Sequence, residues 1–169
     1  MTNQAYPSLN DIEPSWADVA VTFAVSGGAA LEMADIKSLK WSRKVEVGEM
    51  RGASGGRVMR RTTGSVSQEA SATLYRSGVR KLIKGLMAQA QAQNLVRGNQ
   101  VLISLVSFDI TIQHTPSGET EIYETHIKGC RYLGDSDDMK EGNDADSIEL
   151  TLNPIEIANI INGKEVVLL

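Results

Sequence analysis

Residues 36–75 read IKSLKWSRKVEVGEMRGASGGRVMRRTTGSVSQEASATLY. In the first part Leu39, Trp41, Arg43, Val45 and Val47 alternate with Ser38, Lys40, Ser42, Lys44 and Glu46, the period of two that marks a half-buried strand. In the last part Val66, Ala70, Ala72 and Leu74 alternate with Ser65, Ser67, Glu69, Ser71 and Thr73, with Gln68 out of pattern. Each strand is predicted to turn one face to a core and a polar face to water. Between them the Arg/Gly-rich segment Gly48–Gly64 has no apolar face and carries Arg51, Arg57, Arg60 and Arg61. It reads as a long loop that something outside the local fold must hold, either nucleic acid or another copy of the chain.

Working outward, residues 1–15 read as an irregular arm, because Pro7 and Pro14 withhold backbone donors. Val19, Val21, Phe23 and Val25 place a strand over Trp16–Val25. After residue 75 the period lengthens: Val79, Leu82, Ile83, Leu86, Met87 and Ala90 predict a helix over about Ser77–Asn94, with Ser77 as cap and Gly98 as stop. A long hairpin is expected from Val101–His114 and Glu119–Lys128, joined by TPSG. A switch in apolar parity within its first strand predicts a bulge or a strand passing between two environments. An acidic loop, a strand over Ser147–Leu152 and a terminal hairpin over 155–169, turning at Asn162-Gly163, complete the chain. The pattern predicts one mainly β domain over residues 1–169 with one flanking helix. Trp16, Trp41 and the helix stripe are expected in its core.

Composition narrows the function. The 169 residues suit one domain, and 41% hydrophobic with 22% charged residues is a globular composition, with no apolar run long enough for a spanning helix. No signal-peptide pattern opens the chain and Cys130 stands alone, so synthesis in a reducing cytoplasm is expected, without internal disulfide or membrane anchor. The net charge of −4 conceals a split: residues 37–61 hold eight Lys/Arg, whereas Asp135, Asp137, Asp138, Glu141, Asp144 and Asp146 face only Lys140. An acidic balance argues against general nucleic-acid binding, while complementary patches allow head-to-tail self-association, the acidic loop meeting the arginines of a neighbour.

No motif carries catalysis. Gly52-Ala53-Ser54-Gly55-Gly56 matches G-x-S-x-G as a string, but the nucleophile elbow needs a following helix and later His and Asp partners. His114 and His126 are expected far apart on their hairpin, opposite Glu119 and Ser107, with too few ligands for zinc. Met139 and Lys140 stand where a calcium loop needs a ligand and a glycine. No enzyme, metal or cofactor is expected. The rival classes are a nucleic-acid-binding β-barrel using the arginine loop and a small-molecule-binding barrel.

The order of elements carries a resemblance. An early strand SWADVAVTF, the strand–loop–strand from IKSLKWSRKVEVGEMRG to RRTTGSVSQEASATLY, a helix, a long hairpin and the terminal NPIEIANIINGKEVVLL are similar to the tail tube proteins of tailed bacteriophages, related in fold to the tubes of type VI secretion and contractile bacteriocins. The resemblance implies a two-sheet β-sandwich or partial barrel, hexameric rings with a continuous β-barrel inside, and stacking of rings into a virion tube that conducts DNA. It further implies that residues 48–64 reach an adjacent ring, that the arm and terminal hairpin seal subunits, and that sheath, tape measure, baseplate and tail terminator proteins are partners. The polar faces Ser38, Lys40, Ser42, Lys44, Glu46 and Ser65, Ser67, Glu69, Ser71, Thr73 are then the candidates for the lumen. Lys40 and Lys44 depart from the neutral or negative wall on which DNA slides. A tube subunit of a contractile secretion or bacteriocin particle is the nearby alternative.

Overall fold

The computed structural model describes residues 19–51, 58–114, 123–137, 139, 145–161 and 163–167. Its strands are β1 (Val19–Val25), β2 (Ala30–Glu32), β3 (Ile36–Arg51), β4 (Val58–Tyr75), β5 (Val96–Arg97), β6 (Gln100–Val101), β7 (Ser107–His114), β8 (Tyr123–Asp137), β9 (Ser147–Asn153), β10 (Glu156–Ile161) and β11 (Lys164–Val166). One helix, α1 (Arg76–Ala92), follows β4 directly. The main sheet is antiparallel in the order β2-β1-β7-β8-β9-β4-β3, with β10 added to β8 and β11 to β10. The fold is mainly β with a flanking helix, a sheet wrapped into a partial barrel.

Strand β8 makes the wrap. Its first half pairs with β7 on one side and β10 on the other, and its second half pairs with β9. Between the halves the register with β7 slips next to Gly129, which has φ +62 and donates its N–H to the Asp109 carboxylate at 2.7 Å. Only glycine adopts that backbone cheaply, and the extra residue bends the strand. Both halves then close on one core. Phe23 of β1, Phe108 of β7, Ile127 of β8, Ile157 of β10, Leu150 of β9 and Leu74 of β4 join Leu82 and Leu86 of α1 in a single buried cluster. Phe23 and Phe108 lie with ring centroids 5.8 Å apart. Arg43 of β3 reaches across to β10, donating to the Ile157 carbonyl at 3.3 Å and the Asn159 side-chain oxygen at 3.1 Å.

Several expectations change. The segment Gly48–Gly64 is not a loop at its ends: Val47↔Thr63, Gly48↔Thr62, Glu49↔Arg61, Met50↔Arg60 and Arg51↔Val58 extend the β3–β4 ladder into a two-stranded ribbon. Backbone pairing needs no apolar face, which is why side-chain pattern did not reveal it. Residues 52–57, including Arg57, lie outside the described residues. The helix cap lies two residues earlier than expected, at Tyr75 and with no side-chain cap bond, so Ser77 is inside the first turn. The Tyr75 N–H goes instead to the Asp35 carbonyl at 3.0 Å. The helix ends at Ala92, before Gly98, and the chain leaves it through Asn94 at φ 57, while the Leu95 N–H reaches the Ala90 carbonyl at 2.8 Å. Gly98 instead turns the small β5–β6 hairpin.

The parity switch after Val101 reflects a single 3₁₀ turn over Ile103–Leu105 that interrupts the strand, not a bulge. The β7–β8 register also differs, pairing His114 with Tyr123 and His126 with Thr111. The expected TPSG turn falls in residues 115–122, which lie outside the described residues. The terminal hairpin does turn as expected, with Ile161 opposite Lys164 and Gly163 at φ +70. Trp41 is 39% exposed and Met87 is exposed, whereas only Gly78, Val79, Leu82, Leu86 and Ala90 of the helix are buried. The wrap covers Ile36 at the base of β3 and leaves Trp41 exposed. Trp16 lies outside the described residues.

Candidate functional site

The β3–β4 register brings the two expected polar faces together. Ser38 stands opposite Thr73, Lys40 opposite Ser71, Ser42 opposite Glu69 and Lys44 opposite Ser67, so all eight share one side of the sheet. The same side continues onto β9, because Ser71 pairs with Thr151 and Thr73 with Glu149. It reaches β8 through Arg131 opposite Asn153, Gly134 opposite Thr151 and Ser136 opposite Glu149. The result is a four-stranded polar face, backed on its other side by Ala70, Ala72, Leu74, Ile148, Leu150 and Leu152 of the core. A depression of about 600 Å³ lies at these strands, lined by residues of both parities: Lys40, Ser42, Ser67, Glu69, Ser71 and Thr151, and also Trp41, Gln68, Ala70, Leu133 and Leu152.

Charge on this face is nearly balanced: Lys40, Lys44 and Arg131 against Glu46, Glu69 and Glu149. Lys44 lies 3.6 Å from Glu46, both exposed, and Lys40 is one diagonal step from Glu69. The two lysines therefore sit among carboxylates rather than forming a phosphate-trapping row. Sequence reasoning missed the β8 and β9 contribution, although Ser147, Glu149, Thr151 and Asn153 already alternate with Ile148, Leu150 and Leu152.

Beyond Val45 the register slips, and the ribbon of residues 47–51 and 58–63 continues with no other strand beside it among the described residues. Ser65 lies next to this slip. Val45, Val47, Met50, Val58 and Val66 are exposed. The arginines expected as one patch are distributed. Arg60 pairs opposite Met50 and Arg61 opposite Glu49, so they point to opposite faces, and Arg51 lies 3.3 Å from Glu49.

The acidic segment is also divided. Arg76, at the start of α1, donates to Asp137 at 2.8 Å and to Asp146 at 3.1 Å, drawing the two ends of the β8–β9 connection together. Those two carboxylates thus already share one guanidinium within the chain. Asp135 accepts from the Tyr132 phenol, whose pKa is raised, first by burial and then by that carboxylate. Asp138, Glu141 and Asp144 lie outside the described residues.

Val58 continues as strand, so no helix follows the G-x-S-x-G string, itself outside the described residues. His126 meets Glu124 at 3.0 Å and Gln113 donates to the same Glu124 oxygen at 2.9 Å, lowering the carboxyl pKa. No group of three metal-ligating side chains occurs among the described residues.

No protein-family model matches the chain, and no curated protein matches it significantly in sequence. Solved structures do match its fold. A chain of the extended-state sheath–tube complex of PVC, an extracellular contractile injection system, aligns with 98% of this chain and 100% of its own at 16% identity and a TM-score of 0.58. A chain of the baseplate of the anti-feeding prophage covers 90% and 99% at 14% identity, TM-score 0.61. The SPP1 tail tube covers 87% of this chain and 78% of its own at 15% identity, TM-score 0.59. The fold is that of the tube proteins of phage tails and contractile injection systems.

Proposed function

We propose that the chain is the structural subunit of a phage tail tube, built of stacked hexameric rings whose lumen conducts DNA during ejection. The observation that carries this reading is the unbroken polar face of β3, β4, β9 and β8 with the unpaired ribbon rising from its edge. Laid side by side around an axis, such faces form a polar inner wall, and the ribbon's uncovered apolar residues find cover on an adjacent ring. The near-balance of Lys40, Lys44 and Arg131 with Glu46, Glu69 and Glu149 suits sliding rather than binding, because phosphates are held only where cations cluster unopposed. The work of such a subunit is mechanical, not catalytic. Baseplate, terminator, tape measure and, in a contractile tail, sheath proteins are its proposed partners, and the virion its place.

A second reading, the tube of a contractile injection or bacteriocin particle, is favoured by the alignment with the PVC sheath–tube complex over 98% of this chain and all of that one. Negative-stain images of concentrated protein test the shared core of both readings: rings or tubes formed without nucleic acid are expected. Arg60→Glu with Arg61→Glu should leave rings but block stacking. A monomer that binds DNA with steep salt dependence would replace this reading with the nucleic-acid one.

A further inference from the structure

Helix α1 carries Arg76, Arg80, Lys81 and Lys84 and no acidic residue. Arg76 is held by Asp137 and Asp146, and Lys81 donates to the Glu32 carbonyl at 3.2 Å. Arg80 and Lys84 have no ion pair among the described residues. They border a shallow groove of about 410 Å³ along the exposed side of the helix, with Ile83, Met87 and Ala88 in its floor. An apolar floor under a basic rim fits an apolar side chain flanked by carboxylates.

Met139 is such a side chain. It belongs to the β8–β9 connection, where Asp138 precedes it and Glu141 and Asp144 follow, with Lys140 the one opposing charge. It is 73% exposed, and among the described large hydrophobic residues only Ile155 is more so. Arg76 fixes both ends of the connection through Asp137 and Asp146. The chain's own groove does not hold Met139, which takes no part in its lining. The ribbon offers the connection no equal site, because Arg60 and Arg61 point to opposite faces and Arg51 is taken by Glu49.

The ladders set which neighbour can supply it. Tyr75 pairs with Ser147, so the start of α1 and the β8–β9 connection share one end of the polar face, and the ribbon leaves the other. Helix α1 runs back toward the ribbon end, where Gly85 lies against Val25 and Gln89 against Gly27. Val25 pairs with Phe108 and Phe108 with Cys130, beside Arg131, which pairs with Asn153 at the opposite end of β9 from Ser147. Copies stacked head to tail therefore bring the connection of one to the C-terminal half of α1 of the next. We propose that Met139 of one copy seats on Ile83, Met87 and Ala88 of the stacked neighbour, with Asp138 and Glu141 beside Arg80 and Lys84. The contact joins two different surfaces, so it repeats without closing, as a growing tube requires.

This inference rests on the self-assembly proposed above and assigns a contact between stacked copies apart from the ribbon. In the test, M139C and A88C single variants are mixed before assembly and treated with a short bismaleimide, with the wild-type chain, whose Cys130 is buried, as background. A covalent dimer is expected from the mixed tubes and from neither variant alone. It should be lost with R80E/K84E on the A88C chain and regained when D138K/E141K is added on the M139C chain. Rings or tubes that form while the mixture gives no more dimer than wild type overturn the docking and leave the tube reading standing. Dimer from single rings, or an M139C/A88C double variant that links only within one chain, overturns the stacked neighbour as the partner. A wild-type chain that stays monomeric at every concentration overturns both.

Discussion

Arg43 and Asn159, on strands β3 and β10, are joined by a hydrogen bond of 3.1 Å that spans the open side of the wrapped sheet. The neighbouring guanidinium nitrogen donates to the Ile157 carbonyl. Together they tie two strands that share no ladder. Arg43→Met keeps the apolar stem and removes both bonds, so a stability loss of about 1–2 kcal/mol is expected. Urea unfolding measures it; an unchanged midpoint would show that the edges are held by packing alone.

Gly64 has the Glu46 carbonyl where a Cβ would sit, so the ladder slips there only because no side chain intervenes. Gly64→Ala should weaken ribbon pairing by about 1–3 kcal/mol. Gly134→Ala, where nothing lies within 4 Å, should change stability by less than about 0.5 kcal/mol. Hydrogen exchange checks the pair: amides of Val47 and Thr62 should lose protection in the first variant and keep it in the second, with Leu150 unchanged in both.

The Glu124 carboxyl is held below its ordinary value of 4.5, chiefly by the hydrogen bond from His126 and then by that from Gln113. A lowered folded pKa stabilises fully above the unfolded value and is lost as pH falls through the folded one. Melting temperature should therefore decline below about pH 4.5. Glu124→Gln should flatten that part of the decline; an identical acid limb in the variant would assign the loss to other carboxylates.

Burial pushes the Cys130 thiol up to about 12. Its neutral form is the one the fold accepts, so stability is undiminished below the ordinary value of 9.0 and falls as pH rises above it. At pH 8 a maleimide should leave the folded chain unlabelled and label it fully in denaturant. Rapid labelling without denaturant would contradict the burial of this thiol.

Side-chain alternation made strands β1, β3, β4 and β9 legible, because each faces a core on one side and water on the other. It also placed Lys40, Ser42, Glu69 and Ser71 on one face before their register was known. The ribbon was hidden because Gly48–Arg51 and Val58–Gly64 are ordered by backbone bonds, which leave no periodic trace. The roles of Arg43 and Arg76 were hidden too: each joins segments distant in sequence, Arg43 across the wrapped sheet to β10 and Arg76 at the end of the ladders that set Tyr75 opposite Ser147 and Ile148 opposite Asp137. The arginine patch dissolved for a related reason, since pairing sends Arg60 and Arg61 to opposite sides.

A two-stranded ribbon bare on both faces is marginally stable in water on its cross-strand bonds alone. In the proposed tube, the free energy that firms residues 47–51 and 58–63 would come mostly from an adjacent ring. For a subunit that polymerises, this separates dispersal from growth: at low concentration the docking surface is missing, and the first few contacts are the hardest to make. Such a chain should show a critical concentration and a lag that a preformed end abolishes, so that filament length is set by where growth is seeded.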